Sequence, residues 1–152
     1  MPPRLRQAYL QTHYSVDGCA IRIGCRTPAI DALLALRSAR EGVLVTAWNP
    51  QSRRMPRGWN DRMQRRLSQR LRRFAVLNGE SGHGPWREEQ LLVLAPIPLV
   101  LRVGRVFRQW AVVAVRRGQC AQLVPVPRGL ACARHGHAAR ASTSPSPIQF
   151  AI

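Results

Sequence analysis

The sequence predicts an α/β or α+β fold: a single small domain in which a mixed sheet of about five strands is packed by about three helices. Three observations support this prediction. The chain has 152 residues, enough for one domain with a real core. It is 45% hydrophobic, which excludes wholesale disorder. Short β-branched runs also alternate with stretches of helical periodicity.

The first part of the chain is predicted to form a strand, a helix and a second strand. Residues 20–24 alternate with a period of two, which is typical of a strand. Thr27 and Pro28 then supply a helix N-cap and a proline at the first helical position. Gly42 is expected to close this helix, and residues 43–47 form a β-branched run that indicates a buried strand.

A long basic helix is predicted from about Pro56 to Phe74. Its apolar residues are spaced by 4, 4, 4 and 3, which places them on one stripe of an amphipathic helix: Trp59, Met63, Leu67, Leu71 and Phe74. We expect this stripe to face the core and the polar side of the helix to face solvent.

The remaining elements are shorter. Composition predicts a short strand at 75–77, a glycine-rich loop at 78–85, a strand over 86–94, a third helix at 98–108 and a hairpin of strands at 111–115 and 121–124. The composition then changes to Pro, Ala, Ser and Arg. We therefore predict a domain over residues 1–125 and a disordered, flexible C-terminal tail over residues 126–152.

Arginine dominates the charge of the chain. There are 24 Lys+Arg residues, all of them arginine, against 7 Asp+Glu, for a net charge of +17. Nine of these arginines and only one acid fall between Arg53 and Arg73. A GC-rich genome would supply arginine without selection, and the basic helix then has a merely solvated face. The alternative is contact with an anion or a nucleic acid through Arg62, Arg65, Arg66, Arg72 and Arg73.

Several classes of protein are not supported by the sequence. The four cysteines form no C-x-x-C pair and match no common zinc pattern, so we predict no metal site and no cofactor. The most apolar uncharged stretch, residues 90–101, is too short to cross a bilayer as a helix. No secretory signal opens the chain. We therefore expect a cytoplasmic protein with no membrane partner.

Several motifs carry a resemblance to a known family. They are Thr46-Ala47-Trp48-Asn49-Pro50-x-Ser52, then Asn60, then Gly84-x-Trp86-x-Glu88-Glu89, and last Phe107-x-Gln109-x-Ala111. In this order they resemble a bacterial family, domain of unknown function 3293, over roughly residues 9–124. The resemblance implies a small single-domain α/β protein and no particular reaction. One departure is Gln90, which stands where the family tends to have a small hydroxyl residue.

The same residues predict a polar pocket at the end of a strand. Asn49 and Ser52 follow a predicted strand, Asn60 opens the basic helix, and Gln109 precedes another strand. Glu88 and Glu89 are adjacent on a strand, so only one of them can face such a pocket. We expect these residues to converge beside Trp48 or Trp86, because ligands collect at strand ends in open α/β sheets. The alternative is that they only stabilise turns and a helix start.

Three functions remain open from the sequence. The first is a binding or regulatory module for a small polar or phosphorylated ligand, because Asn, Gln, Ser and Arg are good hydrogen-bonding groups and poor proton-transfer groups. The second is nucleic-acid binding through residues 53–73. The third is a hydrolytic enzyme that uses Glu88 or Glu89. Candidate ligand-binding residues are Asn49, Ser52, Asn60, Trp86, Glu88, Glu89 and Gln109.

Overall fold

The computed structural model describes residues 1–128, which form an α+β domain of four helices and one seven-stranded sheet. The helices are α1 (Pro3–Gln11), α2 (Pro28–Leu36), α3 (Arg57–Leu71) and α4 (Ile97–Val106). The strands are β1 (His13–Val16), β2 (Cys19–Ile21), β3 (Glu41–Val45), β4 (Val76–His83), β5 (Trp86–Val93), β6 (Ala111–Arg116) and β7 (Gln122–Pro125). A short 3-10 turn spans Pro50–Ser52. The predicted counts of about five strands and three helices were too low.

The sheet is antiparallel throughout, in the order β2-β1-β4-β5-β3-β6-β7. The predicted mixed sheet is therefore wrong, and α+β is the class that the structure supports. The segments beside the two edge strands also meet, because Gly24 N–H donates to Ala121 O at 2.8 Å and Ala121 N–H donates to Cys25 O at 2.9 Å. The sheet thus curls almost into a closed barrel.

The two faces of the sheet bury two separate apolar cores. Helices α3 and α4 cover one face, where Leu67 and Leu71 pack against Val43 and Val93. Helix α2 covers the other face through Ile30 and Leu34, which pack with residues of β1, β3 and β6. Alternation along a strand assigns neighbouring residues to opposite cores. On β5, for example, Leu91 and Val93 belong to the α3 side and Leu92 belongs to the α2 side.

Two elements near the N-terminus were absent from the sequence prediction. Helix α1 buries none of its residues fully and has a polar sequence, so its periodicity gives no signal. Strand β1 buries Tyr14 and Val16 in alternation and pairs with β2 through a turn at Asp17 and Gly18. Both turn residues have positive φ, 47° and 77°, as the two-residue turns of tight hairpins require. The Asp-Gly pair was therefore the usable signal for this hairpin.

The predicted end of α2 at Gly42 is wrong. The helix ends at Leu36, and Ser38 adopts a left-handed conformation with φ 53° while Ala39 N–H bonds back to Leu34 O at 2.8 Å. Ser38 thus takes the position that glycine usually occupies after a helix. Gly42 instead lies within β3, where an added Cβ would come 3.0 Å from the Leu92 side chain.

The predicted glycine-rich loop at 78–85 is also wrong, because most of it belongs to β4. Gly79 pairs with Val16 of β1, and a Cβ added there would lie 2.6 Å from Ser15 O. The glycine is required by the close approach of two strands and does not mark a loop. Only Gly84 and Pro85 remain as the turn between β4 and β5.

The other elements agree with the sequence within a few residues. The basic helix, the helix at 98–108 and the C-terminal hairpin are all present as α3, α4 and β6–β7. Val126, the first residue of the predicted tail, is buried in the α3-side core and donates its N–H to Trp110 O at 2.9 Å. Residues 129–152, with most of the predicted tail and Cys132, lie outside the described residues.

Candidate functional site

The loop after β3 has an unusual backbone. Asn49, Gln51 and Ser52 all have positive φ, at 46°, 55° and 59°. Left-handed conformations are uncommon for residues other than glycine, and such strain concentrates at functional sites. The loop is held from outside, since Gln51 N–H donates to Arg108 O at 2.9 Å and Arg108 itself has φ 56°. Residues 49–52 are therefore the most strained part of the described chain.

Two buried asparagines fix this loop onto the start of α3. Asn49 N–H donates to Asn60 Oδ1 at 3.0 Å, and Asn60 Nδ2 donates to Asn49 Oδ1 at 3.1 Å. Asn49 Oδ1 also accepts the backbone N–H of Met55 at 2.9 Å. Because a backbone N–H can only donate, this bond decides which end of the Asn49 amide is oxygen. The amide nitrogen of Asn49 must then point to the opposite side.

That nitrogen points at Glu88. Asn49 Nδ2 donates to Glu88 Oε1 at 2.7 Å, and Trp86 Nε1 donates to the same oxygen at 3.0 Å. Within residues 1–128, Oε2 receives no hydrogen bond. Burial raises the pKa of Glu88 above its ordinary value, while the two donated hydrogen bonds act in the opposite direction. Glu88 is thus a half-buried carboxyl group with one fixed oxygen and one available oxygen.

Glu88 lies between two concave surfaces. The inner cavity, of about 320 Å³, lies on the α1 side of the sheet and is lined mainly by apolar surface. Its lining includes Tyr9, Tyr14, Asn49, Ser52, Ser81, Trp86, Glu88 and Gln109. The outer groove, of about 390 Å³, lies over the start of α3 and includes Trp48, Arg54, Arg57, Arg87 and Glu89. Asn49, Trp86 and Glu88 contribute to both surfaces.

Two tyrosines give the inner cavity much of its character. Burial, with a smaller effect of the Glu88 charge, raises the pKa of Tyr9 to about 12. Burial likewise raises the pKa of Tyr14, whose hydroxyl donates to Tyr9 O at 3.4 Å. Both phenols therefore stay protonated and act as hydrogen-bond donors at neutral pH. Sequence reasoning missed both residues because they lie on α1 and β1, the two elements that it did not predict.

The predicted site residues come together with one exception. Asn49, Asn60, Trp86 and Glu88 form one hydrogen-bonded network, and Ser52 and Gln109 line the inner cavity beside it. Gln109 Nε2 also donates to Trp48 O at 2.9 Å. Glu89 is the exception, because it is exposed on the α3 face of β5 and lines the outer groove but not the inner cavity. The role of the predicted site residues in binding a ligand stays a prediction.

Gln64 also supports this loop, and the sequence analysis missed it. Gln64 is buried on α3, one turn after Asn60, and its Oε1 accepts the N–H of Ala47 at 3.0 Å. The fully buried positions of α3 are in fact Asn60, Gln64, Leu67 and Leu71, while Trp59 and Met63 are only half-buried. Asn60 and Gln64 are two polar residues on the buried stripe of α3, and this was the available signal that the stripe contributes to a polar site.

The candidate nucleic-acid residues lie away from the cavity. All five are exposed on or just after α3, on the opposite side of the sheet from the inner cavity: Arg62, Arg65, Arg66, Arg72 and Arg73. Among the described residues, none of the five has a carboxylate partner within 4.0 Å. In the same part of the chain, no cluster of metal-ligating side chains is present and no helix has the length and hydropathy to span a membrane.

Comparison with known families gives one match. Residues 45–112 match the family model described as "Protein of unknown function (DUF3293)". This segment, less than half of the chain, is similar to that family. The family resemblance predicted from the motifs is therefore confirmed, and the matched segment holds the strained loop, Asn60 and Glu88. No curated protein and no solved structure matches the chain.

Proposed function

We propose that this protein is a binding or regulatory module whose small ligand occupies the inner cavity and contacts Glu88. The single observation that carries the proposal is the hydrogen bonding of the half-buried Glu88 carboxylate. Its Oε1 accepts hydrogen bonds from Asn49 and Trp86, whereas Oε2 accepts none from either residue. The cavity volume of about 320 Å³ falls in the usual range for small-molecule sites. Mainly apolar walls with a few converging polar groups are also typical of such sites.

The cost of this arrangement supports the proposal. A strained loop and a carboxyl group with a raised pKa both reduce the stability of a fold. A side chain needed only to stabilise the turn would not require ionisable chemistry at position 88. Sites that bind or react commonly keep such unfavourable features, because they are rigidly placed for a ligand.

A matched pair of cavity variants tests the proposal. Ala8→Phe places a ring in the inner cavity from exposed helix α1, whereas Ala32→Phe places the same ring on the exposed side of α2. We would screen small amines, amides, nucleosides and sugar phosphates by thermal shift. Ligands of the cavity should raise the Tm of the unsubstituted protein and of the Ala32 variant, and not that of the Ala8 variant. A shift that persists in the Ala8 variant would overturn the assignment of the site.

A hydrolytic enzyme that uses Glu88 is the second candidate function. Its support is the combination of a raised pKa with an oxygen that is free to reach a substrate. Chromogenic esters, amides, glycosides and phosphodiesters would serve as a substrate panel. Glu88→Gln should abolish any turnover, and Glu89→Gln, its neighbour on the other face of β5, should preserve it. An equal loss of turnover in both variants, or no turnover by the unsubstituted protein, would exclude the hydrolytic enzyme and leave the binding module as the proposed function.

Nucleic-acid binding through α3 also stays a prediction. Its support is the exposure of a local cluster of unpaired arginines. Binding to a random duplex should weaken steeply with salt, since each phosphate contact releases a counterion. We would replace Arg62, Arg65 and Arg66 by glutamine. This should reduce the slope of log K against log salt by about one for each phosphate contact that is lost. An unchanged slope would exclude this face as the contact surface.

A further inference from the structure

The four half-buried carboxylates of the chain differ in their partners. All seven acids lie within residues 1–128, and Asp17, Glu80 and Glu89 are exposed. Three of the half-buried acids have an arginine within 4.0 Å: Asp31 with Arg26 at 2.7 Å, Glu41 with Arg116 at 2.9 Å, and Asp61 with Arg57 at 3.9 Å. Glu88 has no such partner in the described part of the chain. It is held only by the neutral donors of Asn49 and Trp86.

The lack of an arginine partner for Glu88 within residues 1–128 is notable in a chain with 24 arginines. A buried carboxylate is stable as an ion only when a cation or several hydrogen bonds compensate for its lost solvation. The inner cavity beside Glu88 is lined by no arginine among the described residues, and its one basic group is His83 at the rim of β4. Arginines instead line the outer groove, where Arg54 lies 5.9 Å from the centre of the Trp86 ring.

The walls of the cavity also favour a positive charge. Tyr9, Tyr14 and Trp86 line the cavity together with Glu88, and aromatic rings can attract cations through their quadrupole. An anionic group would meet the Glu88 carboxylate without a cation to offset the repulsion. A phosphorylated ligand therefore fits the inner cavity poorly, although it suits the residue types that the sequence showed around the site.

From this arrangement the geometry points to an organic amine as the ligand of the inner cavity: an apolar or aromatic body against Tyr9 and Tyr14, with its ammonium group paired to Glu88 Oε2. This inference rests on the proposed function and names its ligand class. It also assigns a cation partner to Glu88, the one half-buried carboxylate that has no arginine within 4.0 Å among residues 1–128.

Three probes with the same ring and chain length test the inference: phenethylamine, 2-phenylethanol and phenylacetate. They present a cation, a neutral hydroxyl and an anion at the same position. Amide chemical-shift titrations at pH 7.5 and 150 mM salt would follow residues of β1 and β5. We expect phenethylamine to bind at least tenfold more tightly than the other two. Glu88→Gln should remove the preference for phenethylamine and leave the affinity for 2-phenylethanol unchanged.

Two controls separate selection by Glu88 from general attraction to charge. Glu89→Gln removes a neighbouring carboxylate from the other face of β5 and should not change the affinity for phenethylamine. Arg54→Gln removes the cation nearest to Trp86 and should not bring phenylacetate to the affinity of the amine. A loss of amine binding in the Glu89 variant as large as in the Glu88 variant would overturn the inference.

The possible failures are distinguishable. If all three probes bind equally and Glu88→Gln has no effect, the cavity binds small molecules without selecting amines. The inference then fails, the assignment of the inner cavity as the binding site stands, and the proposed contact with Glu88 is withdrawn. If phenylacetate binds best, the ligand is an anion and the inference fails in the same way. If no probe shifts any cavity resonance up to its solubility limit, both the inference and the proposed cavity site are overturned.

Discussion

Asn49→Asp is the substitution that most directly tests the network around Glu88. The new side chain keeps an oxygen for the Met55 N–H and for Asn60 Nδ2, and aspartate tolerates the left-handed backbone at position 49. The one change is that a second carboxylate oxygen replaces Nδ2, which lies 2.7 Å from Glu88 Oε1. The variant thus places two acids in contact without removing any other hydrogen bond.

The expected magnitude follows from this distance. Two unit charges about 3 Å apart repel by roughly 5 kcal/mol at an effective dielectric constant of about 20. Holding one proton on the pair at pH 7, about three pH units above an ordinary carboxyl pKa, costs about 4 kcal/mol. The folded variant should therefore retain a proton that the unfolded chain releases. Stability then falls as pH rises, by about 1.4 kcal/mol per pH unit relative to the unsubstituted protein.

Urea unfolding at pH 5, 6 and 7 and constant ionic strength measures this slope. The free energy of unfolding of the Asn49 variant should drop by about 3 kcal/mol more than that of the unsubstituted protein over this range. Gln122→Glu, which adds a carboxylate to an exposed position of edge strand β7, should follow the unsubstituted protein. Parallel pH profiles for the Asn49 variant would mean that residues 49 and 88 are not in contact, and the described site would be wrong.

Three further results are expected. Glu88→Gln should be more stable than the unsubstituted protein at pH 7, with the difference vanishing as pH falls: the folded pKa of Glu88 is raised, so its contribution is favourable at low pH and lost as pH rises. A destabilised variant at pH 7 would contradict this. Gly79→Ala should lower the free energy of unfolding by about 2 kcal/mol, because its Cβ would lie 2.6 Å from Ser15 O. Gly58→Ala, in the open first turn of α3, should raise the free energy of unfolding by about 0.5–1 kcal/mol. If urea unfolding shows the same change for the Gly79 and Gly58 variants, the steric reasoning is refuted. In an ultraviolet titration Tyr9→Phe should remove a tyrosine that ionises near pH 12; loss of one ionising near pH 10 would show that Tyr9 is solvated.

The sequence predicted best where one periodicity governed a whole element. Helix α3 was placed within three residues at each end, because its apolar spacing and the proline before it are both local signals. The hairpin of β6 and β7 was likewise found from a β-branched run and Gly118, whose φ is 74°. Local signals decide these elements, so tertiary structure did not need to be known.

Prediction failed where distant contacts decided the structure. Gly79 and Gly82 look like loop residues from composition, yet each is required by a close approach to another strand. The antiparallel sheet order has a similar origin, since β3 lies between β5 and β6 and never pairs with β2. The strand-helix-strand order suggested an α/β unit within a mixed sheet, and only the long-range register shows that the strands pair antiparallel.

The site itself was predictable in its membership but not in its chemistry. The motif residues identified Asn49, Asn60, Trp86 and Glu88, and alternation on β5 predicted that Glu88 and Glu89 would face opposite sides. Tyr9 of the cavity was not predictable from the same signals, because it lies on α1, a helix with no fully buried residue. The sequence suggested a small polar or phosphorylated ligand from the hydrogen-bonding capacity of Asn, Gln, Ser and Arg, and it could not show that no described arginine lines the inner cavity.

The position of the arginines carries more information than their number. Within residues 1–128 every half-buried acid except Glu88 has an arginine partner, and an arginine facing Glu88 would be the simplest way to offset its burial. Leaving that place open keeps the pKa of Glu88 raised and the fold less stable at neutral pH. An internal arginine there would also occupy the free oxygen and the space between the aromatic rings. The proposed amine ligand would explain both the carboxylate without an arginine partner among residues 1–128 and the aromatic residues of the cavity, because the cation would arrive with the ligand.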